Sequence, residues 1–264
     1  YSADKILIAT GGWPRLDNRP GAELGVTSNE IFDLEEFPQR IVIAGGGYIA
    51  VEFAGIFNGL GSEVTQLYRG PLFLRGFDQD IREHAAQEIA KSGIDLRFNT
   101  IIDKIERSAN GLVCHLSDGT TLETDQVLYA IGREPHLEGL GLENVGVALN
   151  PDNTIKVDAD FRTSEPSVFA LGDIIGGMEL TPVAQFGPAH QVVDYDFIAS
   201  AVFCQPNIGT VGFTEEQARA EFGEITLYKS SFRPMKHTIS GRDEKTFMKL
   251  VVDTASDRVV GVHM

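Results

Sequence analysis

The stretch IVIAGGGYIAVEFAG, Ile41 to Gly55, constrains the fold more than any other part of the chain. Four apolar residues run into three consecutive glycines, and an apolar helical pattern follows at once. An uninterrupted apolar strand is what a parallel sheet with both faces covered demands. Gly45, Gly47 and Ala50 match the spacing G-x-G-x-x-G/A. In that spacing the first glycine permits a tight turn and the second lets a pyrophosphate approach the backbone. The third small residue lets helix and strand pack closely. The helix start then offers N–H groups and the positive end of a dipole to the anion. Such a fingerprint alone is weak evidence. Here a strand (Ile41–Ala44), a helix (Tyr48–Leu60) and a second strand (Glu63–Tyr68) surround it, and the small residues continue at Ala54 and Gly61. The expectation is a doubly wound α/β domain that binds a dinucleotide.

The end of the second strand indicates which dinucleotide. An NAD site places Asp or Glu there, about 20 residues past the first glycine, to hold the ribose 2′-hydroxyl. This chain has Tyr68, followed at once by Arg69, with Arg75 six residues later across a loop containing Pro71. A 2′-phosphate carries nearly two negative charges, and guanidinium forks match its geometry. Two solvated surface arginines are the plainer alternative. The missing acid beside two bases favours NADPH.

The rest of the chain reads as follows. A strand at Lys5–Ala9 precedes a turn-rich connector, and residues 30–37 suggest a short acidic helix. Asp78 is placed to cap a helix with an apolar stripe at Ile81, Ala85, Ile89 and Ala90, and Gly93 is placed to stop it. Strand Ile94–Phe98 and a meander (Ile101–Arg107, Gly111–Leu116, Thr120–Glu123) lead to an apolar strand at Val127–Ile131. After a turn-rich stretch comes strand Val168–Leu171. From Asp194 the pattern changes to a strand pair, a short helix capped by Thr214, and strands at Ile225–Lys229 and Phe247–Val252. Hydrophobic residues make up 42% of the 264, enough for a substantial core. The net charge of −16 argues against nucleic acid or an anionic membrane as a general partner. No run approaches the ~20 apolar residues of a membrane span. Cys114 and Cys204 read as structural thiols in strands of a protein from a reducing compartment, the cytoplasm. The six histidines have no ligand-like spacing, so no metal site is expected.

Several segments in the same order carry a resemblance: ATGGWP, GGGYIAVEFAG, YRGPLFLRGFD, YAIGREP, LGDIIGG with LTPVA, DYDFIASAVFCQPNIGTVGFTEEQA and SFRPMKH. Over nearly its whole length the chain resembles the flavoprotein disulfide reductases, and within them it is similar to the glutathione reductases. The resemblance implies FAD and NADPH as cofactors, glutathione disulfide as substrate and a homodimer as the assembly. It divides the chain into a partial FAD-binding domain (residues 1–25 and 133–190), an NADPH-binding domain (26–132) and a truncated dimerisation domain (191–264). Tyr48 would be the gate over the flavin that yields to nicotinamide, with Ile49 beside it, and Glu52 would face the nicotinamide region. A helix surface acid is the plainer alternative for Glu52, and the nicotinamide role is favoured over it. Arg69 and Arg75 would clamp the 2′-phosphate, Gly132 would touch the coenzyme with its backbone, and Glu179 and Ala201 would lie near the carboxamide. Thr10 and Gly11 would sit beside the FAD adenosine half, Asp173 would accept from the ribityl chain, and Thr181 would open a helix aimed at the flavin ring.

Two departures qualify the resemblance. The family's CxxxxC dithiol and its His-Glu acid–base pair are not among these residues, so neither Cys114 and Cys204 nor His237 and His263 take those roles. The chain by itself is therefore expected to lack disulfide reductase turnover, with its natural ends lying beyond Tyr1 and Met264. In addition, a Gly-Pro pair at Gly187-Pro188 follows LTPVA closely, and a helix's worth of residues is expected to be missing between Ala184 and Phe186. The alternatives are a trypanothione, thioredoxin or mercuric reductase of the same family, or a non-catalytic NADPH-binding module. Tyr68 and Arg69 disfavour an NAD-using dihydrolipoyl dehydrogenase.

Overall fold

The computed structural model describes residues 2–177 and 197–264. In chain order, β1 (Ile6–Ile8) and β2 (Gly12–Pro14) come first. β3 (Arg40–Ala44), α1 (Tyr48–Gly59), β4 (Glu63–Tyr68), α2 (Gln79–Lys91) and β5 (Asp95–Phe98) follow. Next are β6 (Ile102–Ser108), β7 (Gly111–Leu116), β8 (Thr121–Thr124) and β9 (Gln126–Tyr129). β10 (Arg133–Pro135) and β11 (Val168–Ala170) precede the final segment. That segment holds β12 (Ser200–Val202), β13 (Ile208–Gly212), α3 (Glu215–Phe222), β14 (Ile225–Phe232), β15 (Thr246–Asp253) and β16 (Arg258–His263). The chain forms two compact units. One joins the stretch before Leu16 to the stretch beginning at Gly132; the other joins Leu16–Ile131 to the segment from residue 197 onward.

In the larger unit a parallel sheet runs in the order β5-β4-β3-β9. Side chains alternate along β3. Ile41 and Ile43 join Val51, Ala54, Ile81 and Ile89 beneath the two helices. Val42 and Ala44 join Ile102, Ile105, Leu112 and Cys114 of the antiparallel meander β6-β7-β8. Both faces are buried, which is why β3 shows no polar alternation. The same unit contains a five-stranded antiparallel sheet, β12-β13-β16-β15-β14. Thr214 caps α3 in a capping box with Gln217.

In the smaller unit β1 and β11 pair in parallel, β2 and β10 pair antiparallel, and Ile8, Ile155, Val168, Ala170 and Ile174 form the core. No helix among the described residues is long and apolar enough to cross a membrane.

Three local expectations differ from the structure. Residues 30–37 form only a three-residue 3-10 turn, Ile31–Asp33. The Glu30 carboxylate folds back to accept from the Thr27 amide and hydroxyl, and Leu34 turns extended ahead of Pro38. On α2, Ala90 is exposed and Glu88 is buried instead, accepting from the Lys91 ammonium and the Lys245 amide. Cys204 lies just beyond β12 rather than in a strand, although it is fully buried as expected. The segment around Ala184 to Pro188, where residues were expected to be missing, lies outside the described residues.

Candidate functional site

The parallel register sets Ala44 opposite Leu67 and Tyr129, so the glycine turn leaves the sheet beside the ends of β4 and β9. Each glycine meets a different demand. Gly45 has φ 150, and a Cβ there would sit 2.2 Å from the Ala130 carbonyl oxygen and 3.1 Å from the Ala50 Cβ. A Cβ on Gly46 would strike the Tyr68 ring at 2.3 Å. At Gly47, by contrast, the backbone is ordinary (φ −84, ψ 178) and a Cβ would meet nothing within 4 Å. The protein itself has no need of glycine at position 47. A ligand lying close to the backbone would need one.

The carbonyls of this turn are already taken. Gln66 Nε2 donates to Gly45 O at 3.1 Å and the Leu74 amide donates to Gly46 O at 2.7 Å. Gln66 is 2% exposed. The Gly45 amide is also taken, donating to Leu67 O at 2.9 Å, so the face the turn offers an anion is the part from Gly46 onward together with the start of α1. Gly47 caps α1 without a side-chain hydrogen bond, and no acid stands in the first turn, so the positive end of the dipole is uncompensated. Tyr48 is exposed at the head of α1, Ile49 is half-buried, and Ala50 is fully buried against Gly45.

Arg69 and Arg75 flank the loop between β4 and α2, and both are exposed. Neither pairs with an acid among the described residues, whereas Arg40, Arg97 and Arg219 do. The loop that carries them is anchored. Phe73 and Leu74 are buried in the helix-side core, and Arg82 of α2 donates to the carbonyls of Leu72 and Phe73 at 2.6 and 2.7 Å. Leu74 accepts a left-handed backbone, φ 54, to reach Gly46. Arg69 follows the ring that packs on Gly46, and Arg75 follows the residue that bonds it.

The remaining predicted residues fall as follows. Glu52 is half-buried on α1, and its Oε1 accepts from the Phe203 amide at 2.8 Å. Ala201 is exposed on β12, two residues before Phe203. In the smaller unit Thr10 and Asp173 both follow the C-terminal ends of the parallel pair β1 and β11, the edge where open α/β sheets take ligands. The Thr10 hydroxyl donates to His136 O and the Gly11 carbonyl accepts from His136 N, so both are fixed to the strand pair β2–β10. Gly132 has φ 131, and its carbonyl accepts from the Arg15 amide. Glu179 and Thr181 lie outside the described residues.

Sequence reasoning missed Gly46, Gln66, Leu74 and Arg82. Gln66, a polar residue inside an apolar parallel strand, was the one visible signal among them. Cys114 and Cys204 are buried in separate cores, and burial pushes both thiols up to about 12. They are inert side chains, not a dithiol.

Comparison with known proteins gives the family. Residues 1–187 match the family described as pyridine nucleotide-disulphide oxidoreductase, and residues 198–264 match the dimerisation domain of the same group. The chain is 47% identical to a glutathione reductase of Burkholderia cepacia, over all of this chain and 61% of that protein. It is 42% identical to a trypanothione reductase of Trypanosoma congolense, over 99% of this chain and 56% of the relative. Among solved structures it is similar to the HOCl-induced flavoprotein disulfide reductase RclA from Escherichia coli. The TM-score is 0.89 at 31% identity, covering 98% of this chain and 63% of the other. The chain thus spans about 60% of the first of these relatives. By fold, by the architecture of its glycine turn and by these matches, the chain belongs to the pyridine nucleotide-disulphide oxidoreductase family.

Proposed function

We propose that this chain holds NADPH and FAD within an enzyme that reduces glutathione disulfide. One observation carries the coenzyme half of the reading. A turn with its carbonyls tied inward and an unexplained glycine at position 47 stands beside an anchored loop bearing two arginines that pair with no acid among the described residues. The anion-accepting edge suits a pyrophosphate, and the arginines suit the extra phosphate that separates NADPH from NADH. The glutathione reductase relative supports the substrate, and the trypanothione reductase relative marks the alternative within the same chemistry.

Such cofactors, when bound, supply a hydride and its relay as electrons toward a disulfide. The chain's own part is to seat, orient and exclude water. Gly45, Gly47, Tyr48, Ile49 and Ala50 would form the pyrophosphate seat, with Gly132 contributing backbone to the coenzyme. Tyr48, exposed at the helix head, would cover the flavin until nicotinamide enters. Glu52 and Ala201 would border the nicotinamide end, where Glu52 is held by the Phe203 amide, and Glu179 would join them. Thr10, Gly11, Asp173 and Thr181 would line the FAD side. The thiolate pair for exchange with the disulfide is not formed by Cys114 and Cys204. The match of residues 198–264 to a dimerisation domain supports a homodimer, and two free thiols suit the cytoplasm.

Titration with NADPH and NADH tests the reading. Arg69→Glu combined with Arg75→Ala should weaken NADPH by about 2–4 kcal/mol while leaving NADH nearly unchanged. Equal losses for both coenzymes would mean that these arginines do not read the 2′-phosphate.

A further inference from the structure

Lys249 lies on β15, far in sequence from the glycine turn, and is 1% exposed. Its ammonium donates to both oxygens of Asp78 at 2.9 Å, to Glu215 Oε2 at 2.8 Å, and to Asp80. Lys229 on β14 adds a contact to Asp80 at 2.7 Å. Asp78 is also 1% exposed, and its carboxylate serves two helix starts at once. It accepts from the Asp80 amide, capping α2, and from the Glu215 amide at the first residue of α3. One ammonium therefore bridges three carboxylates at the joint where α2, α3 and β15 meet.

The joint also lies at one end of the arginine loop. Arg75 is three residues from Asp78 and one residue from Leu74. Leu74 is fixed to the glycine turn through Gly46 O, and the Phe77 amide closes a turn onto Leu74 O. Arg75 thus stands between two anchors, the glycine turn on one side and the Lys249–Asp78 pair on the other. Without the ammonium, Asp78, Asp80 and Glu215 would repel one another; Lys229 would still offset Asp80 and Arg219 would still offset Glu215, but the buried Asp78 would lose its one ion-pair partner among the described residues. The first turn of α2 would then shift away from α3 and take the Arg75 end of the loop with it.

We propose that Lys249 is a positioning residue for coenzyme selectivity: through Asp78 it fixes the start of α2 so that Arg75 meets the 2′-phosphate. This rests on the NADPH reading above. A purely structural role would lower stability without altering the choice between coenzymes.

The test measures dissociation constants for NADPH and NADH in the full chain. The variants are Lys249→Met, the double variant Lys249→Met/Asp78→Asn, Glu88→Ala and Arg69→Ala/Arg75→Ala. Glu88 ties the far end of α2 to the Lys245 amide and serves as the packing control. Lys249→Met should cut the NADPH preference by at least fivefold, with NADH affinity held within twofold, and Glu88→Ala should leave the preference unchanged. The double variant removes the acid together with its partner and remains measurable if Lys249→Met does not fold; it too should lose the preference. If the arginine variant changes the preference and neither Lys249 variant does, the positioning role is overturned while the coenzyme reading stands. If the arginine variant changes nothing, the coenzyme reading falls and this inference falls with it.

Discussion

Among single residues, the three glycines of the turn separate folding from binding. A methyl group on Gly46 has to displace the Tyr68 ring, whereas one on Gly47 enters open space. Gly46→Ala should therefore cost about 1–3 kcal/mol of stability, as overpacking does, visible as a lowered denaturant midpoint. Gly47→Ala should leave that midpoint within about 0.5 kcal/mol, the range of an innocuous surface change. Its effect should appear in calorimetric titration with the coenzyme, as a rise in Kd of tenfold or more. A Gly47 variant that destabilises the protein but binds normally would remove the case for a pyrophosphate at that position. The fingerprint spacing made Gly45, Gly47 and Ala50 legible. It was silent on Gly46, whose constraint comes from a ring 22 positions away on the neighbouring strand.

For the elements, the question is what keeps α2 in place, and the answer sets a pH dependence. Burial alone would raise the Asp78 carboxyl, but the Glu215 amide and the Lys249 ammonium outweigh it and hold it below the usual carboxylate range. Asp80 is likewise held down against burial by Lys229 and Lys249, and Glu215 is held down chiefly by Lys249. Burial would lower Lys249, yet its carboxylate partners raise it. Depressed acids contribute stability above their unfolded values near pH 4 and lose it as pH falls through the folded ones. A raised lysine contributes below about pH 10.4 and loses its share as pH climbs through the folded value. Thermal melts should accordingly show a plateau from this cluster between about pH 5 and 10 and a decline below about pH 4. Asp78→Asn should lower the plateau by about 3 kcal/mol, the low end for a broken buried pair because Lys249 keeps two other carboxylates. It should also flatten the acid limb. The N-cap at Asp78, the stop at Gly93 and the capping residue Thr214 were all readable, since caps are local signals. Glu88 was not, because its partner is the Lys245 amide of a segment 157 residues away.

Over the whole molecule, the separation of the two thiols gives a further expectation. Native protein at pH 8 should react with a thiol reagent at neither Cys114 nor Cys204 on a timescale of minutes, and unfolded protein should react at both. Rapid labelling of the native chain would mean that one of the cores opens readily. The β-α-β order was legible because apolar period, glycine turn and strand length agree within some thirty residues. The joining of the final antiparallel sheet to the coenzyme-binding half was not, since Lys249 and Asp78 meet across 171 positions with no local pattern to announce it. Residue type also misleads there: a lone lysine in a strand reads as surface. One consequence of the tied carbonyls at Gly45 and Gly46 remains. The receptor is rigid before any guest arrives, so little chain freedom is lost on capture. Differences in affinity among dinucleotides should then be written in how long each one stays rather than in how fast it comes.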